Sequence, residues 1–242
     1  MDWTKAKTIL IIALIITDIF LIATYVQKDD NGELRNEKAL LSVLEENQIF
    51  IGIERIPEKH EDMPTLSAEY RSVTQEEVEA LIESTDLAAA ENTEEAYIAA
   101  AEEFVSYLGL MSSYAEASTV KQLDDGTMLV TFSCIVDGTE FDGSYINCIF
   151  KERKVIGIDS FWLEPMEFSD KKMETISASV ALITFMSQRE EQEPVTVTGM
   201  ELVYWIDYDF YEGYETVTDT ALPAWRIQFS SGETVYIEAF ER

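Results

Sequence analysis

An apolar run near the amino terminus sets the first limit on this chain. Ile9 to Val26 reads ILIIALIITDIFLIATYV, with one charged side chain in it. With Thr8 and Gln27 it makes a helix about 30 Å long at roughly 1.5 Å per residue, the thickness of a bilayer's hydrocarbon core. Residues 8–27 are therefore expected to form a transmembrane helix, with 1–7 as a cytoplasmic N-terminus. Lys5 and Lys7 precede the run, and Lys28, Asp29 and Asp30 follow it. The basic excess on the N-terminal side places that end inside, so the expected location is the cell membrane, single-pass, with the C-terminal domain extracellular. A cleaved signal peptide would have a shorter apolar region and a small-x-small cleavage site, which Ile22-Ala23-Thr24-Tyr25 does not offer.

Asp18 lies just past the middle of this run, where an ionised carboxylate costs on the order of 2.5 to 3.5 kcal/mol on insertion scales. One compensation is a partner helix. Thr17, Asp18, Leu21, Thr24 and Tyr25 form a polar edge at helical spacing and are the candidate transmembrane interaction face, because polar side chains in a bilayer hydrogen-bond neighbouring helices. The other compensation is a protonated Asp18, or one that reaches its own backbone.

Charge limits the partners. Against 17 Lys plus Arg stand 47 Asp plus Glu, a formal net charge of −30 that repels nucleic-acid phosphates and anionic lipid, so no nucleic-acid role is expected. The apolar fraction, 47% with 12 Phe and 11 Tyr, is enough for a packed core and argues against wholesale disorder.

Beyond the apolar run, Glu33 to Gln48 carries Leu40, Leu41 and Leu44 on one side and reads as a stalk helix, followed by the loop Arg55 to Pro64; together 28–92 form a stalk and linker region. Within it, Thr74-Gln75-Glu76-Glu77 is a capping box that opens a short helix. Thr93 caps a stronger helix with Tyr97, Ala100, Ala101, Phe104, Val105 and Leu108 at helical spacing and a stop at Gly109. Strand-rich segments follow at Val120 to Val136, Ser144 to Lys151 and Lys154 to Leu163, with turn signals at Asp137-Gly138, Asp142-Gly143 and Glu152-Arg153. Ser169 is expected to start another helix with Met173, Ile176, Val180 and Ile183 on one face, before strands at Val195 to Tyr208, Ala224 to Ser230 and Thr234 to Phe240.

Helix then antiparallel strands thus occurs twice. Shifted by 79 residues, Tyr97, Ala101 and Phe104 fall on Ile176, Val180 and Ile183, and Phe150, Ile156, Ile158 and Phe161 fall on Phe229, Val235, Ile237 and Phe240. The expected fold class is α+β: a transmembrane helix followed by two tandem helix-plus-antiparallel-sheet units, at 93–168 and 169–242.

Catalytic groups are scarce. His60 is the single histidine and sits in the charged loop RIPEKHEDMP. Cys134 and Cys148 fall on strands of one expected hairpin, open equally to a cross-strand disulfide and to two buried thiols. The tract Asp207-Tyr208-Asp209-Phe210-Tyr211-Glu212-Gly213 offers oxygen ligands, but Tyr211 and Gly213 break the spacing of a calcium loop. No catalytic, cofactor-binding or metal residues are assigned, and the expectation is a binding protein and not an enzyme.

The opening Met1-Asp2-Trp3-Thr4-Lys5-Ala6-Lys7-Thr8-Ile9, the context Asp18-Ile19-Phe20-Leu21 and the closing Pro223-Ala224-Trp225-Arg226-Ile227 with the strand Thr234 to Ala239 together resemble the YycI family of Gram-positive bacteria. The resemblance implies a YycH/YycI-like membrane-anchored accessory regulator. Its implied partners are a sensor histidine kinase of the WalK type, in the WalK/WalR (YycG/YycF) two-component system that controls cell-wall metabolism, and a YycH-like protein, with contact partly through the transmembrane helix. The alternative is a membrane-tethered extracytoplasmic binder or sensor of a wall-derived ligand or peptide.

Overall fold

The structure, a computed structural model, describes residues 38–58, 61–189, 193–206 and 218–240. The first described element is a helix at residues 38–46, here α1. It is followed by β1 (Ile49–Ile51), β2 (Met63–Arg71), α2 (Gln75–Ser84) and α3 (Glu94–Tyr107). A run of four strands comes next: β3 (Ala115–Gln122), β4 (Met128–Val136), β5 (Thr139–Lys151) and β6 (Lys154–Met173). The chain then forms α4 (Ala178–Gln188), β7 (Val195–Trp205), β8 (Thr218–Phe229) and β9 (Thr234–Glu238). Strands dominate this mixed α/β fold, with nearly half of the described residues.

Local chemistry explains the helix starts. The Thr74 hydroxyl accepts from the Glu77 N–H, and the Glu77 carboxylate accepts from the Thr74 N–H at 2.8 Å, closing both sides of the capping box. The Thr74 N–H, and then the Thr74 hydroxyl, which also donates to that carboxylate, hold the Glu77 carboxyl below its ordinary range. Thr93 accepts from the Ala96 N–H, and α3 buries Tyr97, Ala100, Ala101, Phe104 and Val105 before Gly109 turns left-handed at φ +71°.

The expectation of two tandem helix-plus-antiparallel-sheet units is overturned. β2, from the region expected to be a linker, is a nine-residue strand inserted between β8 and β6. The cause is strand length. β6 runs for twenty residues, and its first half pairs with β5, so its overhanging backbone from Trp162 to Met173 needs another partner; β2 supplies it. β2 then pairs on its other side with the start of β8, Leu66 opposite Ala221. A parallel bridge between Phe141 of β5 and Tyr204 of β7 closes the path β7-β8-β2-β6-β5 into a five-strand ring, and β1 also joins β7 in parallel. The two halves therefore share one sheet of nine described strands. Among the described residues no helix is long and apolar enough to cross a membrane, and residues 8–27 lie outside them.

Three local expectations are also corrected. Asp142-Gly143 makes no turn: it lies inside β5, where the register against β4 shifts. Ser169 starts no helix, because β6 continues to Met173 against Met63, and the helix cap is Ser177. α4 buries Ala178, Ala181, Leu182 and Phe185, whereas Val180 and Ile183 are exposed. The helices therefore correspond at a shift of 81, with Tyr97, Ala100, Ala101 and Phe104 matching those four residues, and not at the 79 of the strands.

Two apolar cores result. The first lies between α3 and strands β3 to β6, around Phe104, Phe132, Phe150 and Trp162. The second joins α1, α4 and the β1-β7-β8-β9 part of the sheet around Leu44, Leu182, Trp225 and Ile227, and it takes in Leu40 and Leu41, the apolar side expected of the stalk helix. Trp225 ties α4 to the sheet: its indole N–H donates to the Ile176 carbonyl at 2.8 Å.

Candidate functional site

Side chains alternate across β4, β5 and β6. Val130, Phe132, Cys148 and Phe150 point into the first core, where the Phe150 ring meets Tyr97 of α3 edge-on. The intervening residues form the other face, and strand pairing aligns them into rows. One row runs Thr119, Thr131, Asn147, Asp159 across β3 to β6; another runs Ser133, Tyr145 and Phe161. Tyr70 of β2 closes the second row, its ring centroid 5.0 Å from that of Phe161. These side chains are half-buried or exposed, so the face is open.

The polar row is fixed by its own bonds. The Thr131 hydroxyl donates to the Asn147 side-chain oxygen at 2.7 Å, and the Asn147 amide donates to an Asp159 carboxylate oxygen at 3.4 Å. The Ser133 hydroxyl donates to Ser118 at 3.0 Å. Tyr145 is held above its ordinary value, first by burial and then by the charge of Asp159, to which it hydrogen-bonds. A carboxylate offers about four lone-pair sites, so Asp159 keeps acceptors for an added group, as does Thr131. Charge is sparse here: in a chain with net −30, the central rows carry one acid, Asp159, and the β3 margin adds Glu116 and Lys121. Depletion of charge with aromatic enrichment marks recognition surfaces.

Of the candidate residues named from the sequence, the structure describes Cys134 and Cys148. Thr17, Asp18, Leu21, Thr24 and Tyr25 lie outside the described residues, as do His60 and the acidic tract from Asp207 to Glu215. Cys134 pairs opposite Phe141 and Cys148 opposite Val130, so strand register separates the two thiols by four positions along β4, about 13 Å at roughly 3.3 Å per residue. That spacing excludes a disulfide without rebuilding the sheet. Both thiols are free, fully buried and pushed up to about 12 by that burial, which makes them poor nucleophiles. Among the described residues no group of three His, Cys, Asp or Glu is placed to hold a metal.

Two further clusters are structural. A cavity of about 560 Å³ opens between the start of α3 and two hairpin turns. Its polar groups are already bonded: the Tyr97 hydroxyl donates to Asn92 at 2.9 Å, and the Arg153 guanidinium donates to the Ala90 carbonyl outside it at 2.9 Å. At the seam between the halves, Arg226 of β8 is nearly buried and pairs with Glu140 at 2.6 Å, Asp142 and Glu201. The Tyr236 hydroxyl also donates to Asp142, while its ring stacks on Trp205 at 5.0 Å. Burial opposes the Arg226 charge, but its carboxylate partners outweigh that and raise its pKa.

No family model and no curated protein matches the chain.

Proposed function

We propose that this chain is a membrane-anchored accessory regulator that binds and modulates a sensor histidine kinase controlling cell-wall metabolism, acting with a YycH-like protein. It is held single-pass by residues 8–27, N-terminus inside and the remainder outside the cell. Its outer part is a recognition module and not an enzyme. Support for the kinase and the YycH-like partner comes from the likeness to the YycI family at Met1 to Ile9, Asp18 to Leu21 and Pro223 to Ala239. The single observation that supports recognition over catalysis is the open, charge-poor face, with its fixed hydrogen-bond row and with both described thiols buried in the core away from it.

Co-purification from membranes tests this reading. A histidine kinase and a YycH-like protein should be recovered with the wild-type chain, and Asp18→Leu should reduce their recovery at matched membrane abundance. An interhelical hydrogen bond in lipid contributes about 0.6 to 2 kcal/mol, and losing it weakens association roughly threefold to thirtyfold. Equal recovery with both chains would reduce segment 8–27 to a plain anchor; recovery of neither partner with the wild-type chain would overturn the kinase reading.

A second reading, a tethered binder of a wall-derived ligand, is favoured by the size of the open face. Five strands about 4.8 Å apart and two rows about 6.7 Å apart span roughly 300 Å². That is less than half the roughly 800 Å² per partner of a standard protein interface and is ample for a small ligand.

A further inference from the structure

We propose that the corner formed by Tyr70, Tyr145, Phe161, Asn147 and Asp159 binds a neutral saccharide. This inference rests on the reading of the open face as a recognition surface and names the ligand class that the surface fits.

Three properties select that class. The first is charge. At net −30 the chain repels polyanions and other copies of itself, and the corner carries one carboxylate and no cation, so an anionic ligand is disfavoured there. The second is the pairing of apolar and polar groups. Tyr70 and Phe161 place two rings 5.0 Å apart at 34°, a partly exposed aromatic ledge that suits the C–H face of a pyranose. Beside the ledge, Asp159 and Asn147 stand on adjacent strands, about 4.8 Å apart by strand spacing, as an acceptor next to a mixed donor and acceptor. Ring hydroxyls both donate and accept, so they can engage both groups. The third is preorganisation. Thr131, Asn147, Asp159 and Tyr145 already hold one another by hydrogen bonds, so little side-chain freedom is left to lose on binding. An extended peptide would instead seek unpaired backbone at a strand edge, and β5, at the centre of this corner, is hydrogen-bonded on both sides, to β4 and to β6.

Titration calorimetry tests the proposal with the full chain in nanodiscs of neutral lipid. The probes are the β-1,4-linked tetramers of N-acetylglucosamine and of glucose, with an uncharged Ser/Gly/Asn octapeptide as comparison. At least one tetrasaccharide should bind saturably with Kd between about 10 μM and 1 mM, unchanged between 50 and 300 mM salt because no ion pair forms. Phe161→Ala and Asn147→Ala should each weaken it tenfold or more; Asn147 is a surface position, so its variant should keep the wild-type circular-dichroism spectrum even if the Phe161 variant loses it. No saturable heat from either tetrasaccharide up to 5 mM, or binding that survives Asn147→Ala in a folded chain, would overturn the proposal. Saturable binding of the octapeptide alone would overturn the ligand class. Kinase co-purification is a separate readout, so the regulatory reading can stand or fall on its own.

Discussion

Arg226 is the side chain whose loss should matter most to the union of the two halves. It reaches from β8 to Glu140 and Asp142 at the start of β5 and to Glu201 on β7. The contributions differ. Glu201 is 64% exposed, so its pair is screened by water and adds at most about 1 kcal/mol. Asp142 is 14% exposed and Glu140 32%, and Arg226 itself 12%, so removing the guanidinium leaves two partly desolvated carboxylates facing each other. Breaking a buried pair from one side costs about 3 to 5 kcal/mol. Arg226→Met keeps the aliphatic stem and should therefore destabilise the chain by about 3 kcal/mol. At roughly 2 to 4 °C per kcal/mol for a chain of this size, Tm should fall by about 6 to 12 °C. Urea unfolding followed by circular dichroism and by tryptophan fluorescence measures the loss and also whether the two cores still unfold together. The triple variant Arg226→Met, Glu140→Gln, Asp142→Asn should recover most of the stability, because replacing a buried ion group entirely is far cheaper than halving it. A loss below about 1 kcal/mol for Arg226→Met would refute the reasoning and leave the tie between the halves to the backbone ladders and to side-chain contacts such as Phe141 with Tyr204.

Other consequences follow from buried groups. Burial pushes Cys134 and Cys148 up to about 12 from an ordinary 9.0, so above pH 9 the unfolded chain ionises while the folded thiols stay neutral. The unfolded state then binds fewer protons, so stability falls with rising pH, by about 1.4 kcal/mol per pH unit for each thiol between 9 and 12. Urea titrations at pH 8 and pH 10 should differ by about 3 kcal/mol, and Cys134→Ala with Cys148→Ala should flatten that dependence; Tyr204, also raised to about 12, adds its share only above pH 10. Trp225→Phe should cost about 1 to 3 kcal/mol in urea unfolding, since it leaves the Ile176 carbonyl without its indole donor at the entry to α4.

Much of the local structure was legible. Thr74 and Thr93 carry caps that act within four residues, and the α3 periodicity needs no distant partner to be read. The failures share a cause in distance along the chain. Ser169-Asp170-Lys171-Lys172 looks like a helix start, but Met63 and Pro64, more than a hundred residues earlier, hold that stretch in β6. α4 is apolar on nearly every side and has no charged residue, so its periodicity does not choose a face, and the expected face was the wrong one. The open face was half legible. Alternation marks Thr131, Asn147 and Asp159 as outward positions on their strands, but only strand register lines them up. Likewise Arg226 stands in a quoted motif, while its partners Glu140 and Asp142 lie 86 and 84 residues away.

Phosphorylation of the response regulator in cells tests most directly whether the open face serves the regulatory role. The chain carrying Asn147→Ala and Asp159→Ala is compared with the wild type at matched membrane abundance, with circular dichroism of the purified proteins to confirm the fold. The expected result is a change of at least twofold in phosphorylated regulator, with kinase co-purification retained, because the substitutions leave the sequence of segment 8–27 unchanged. Wild-type phosphorylation in a folded, correctly located double variant would contradict a regulatory role for this face.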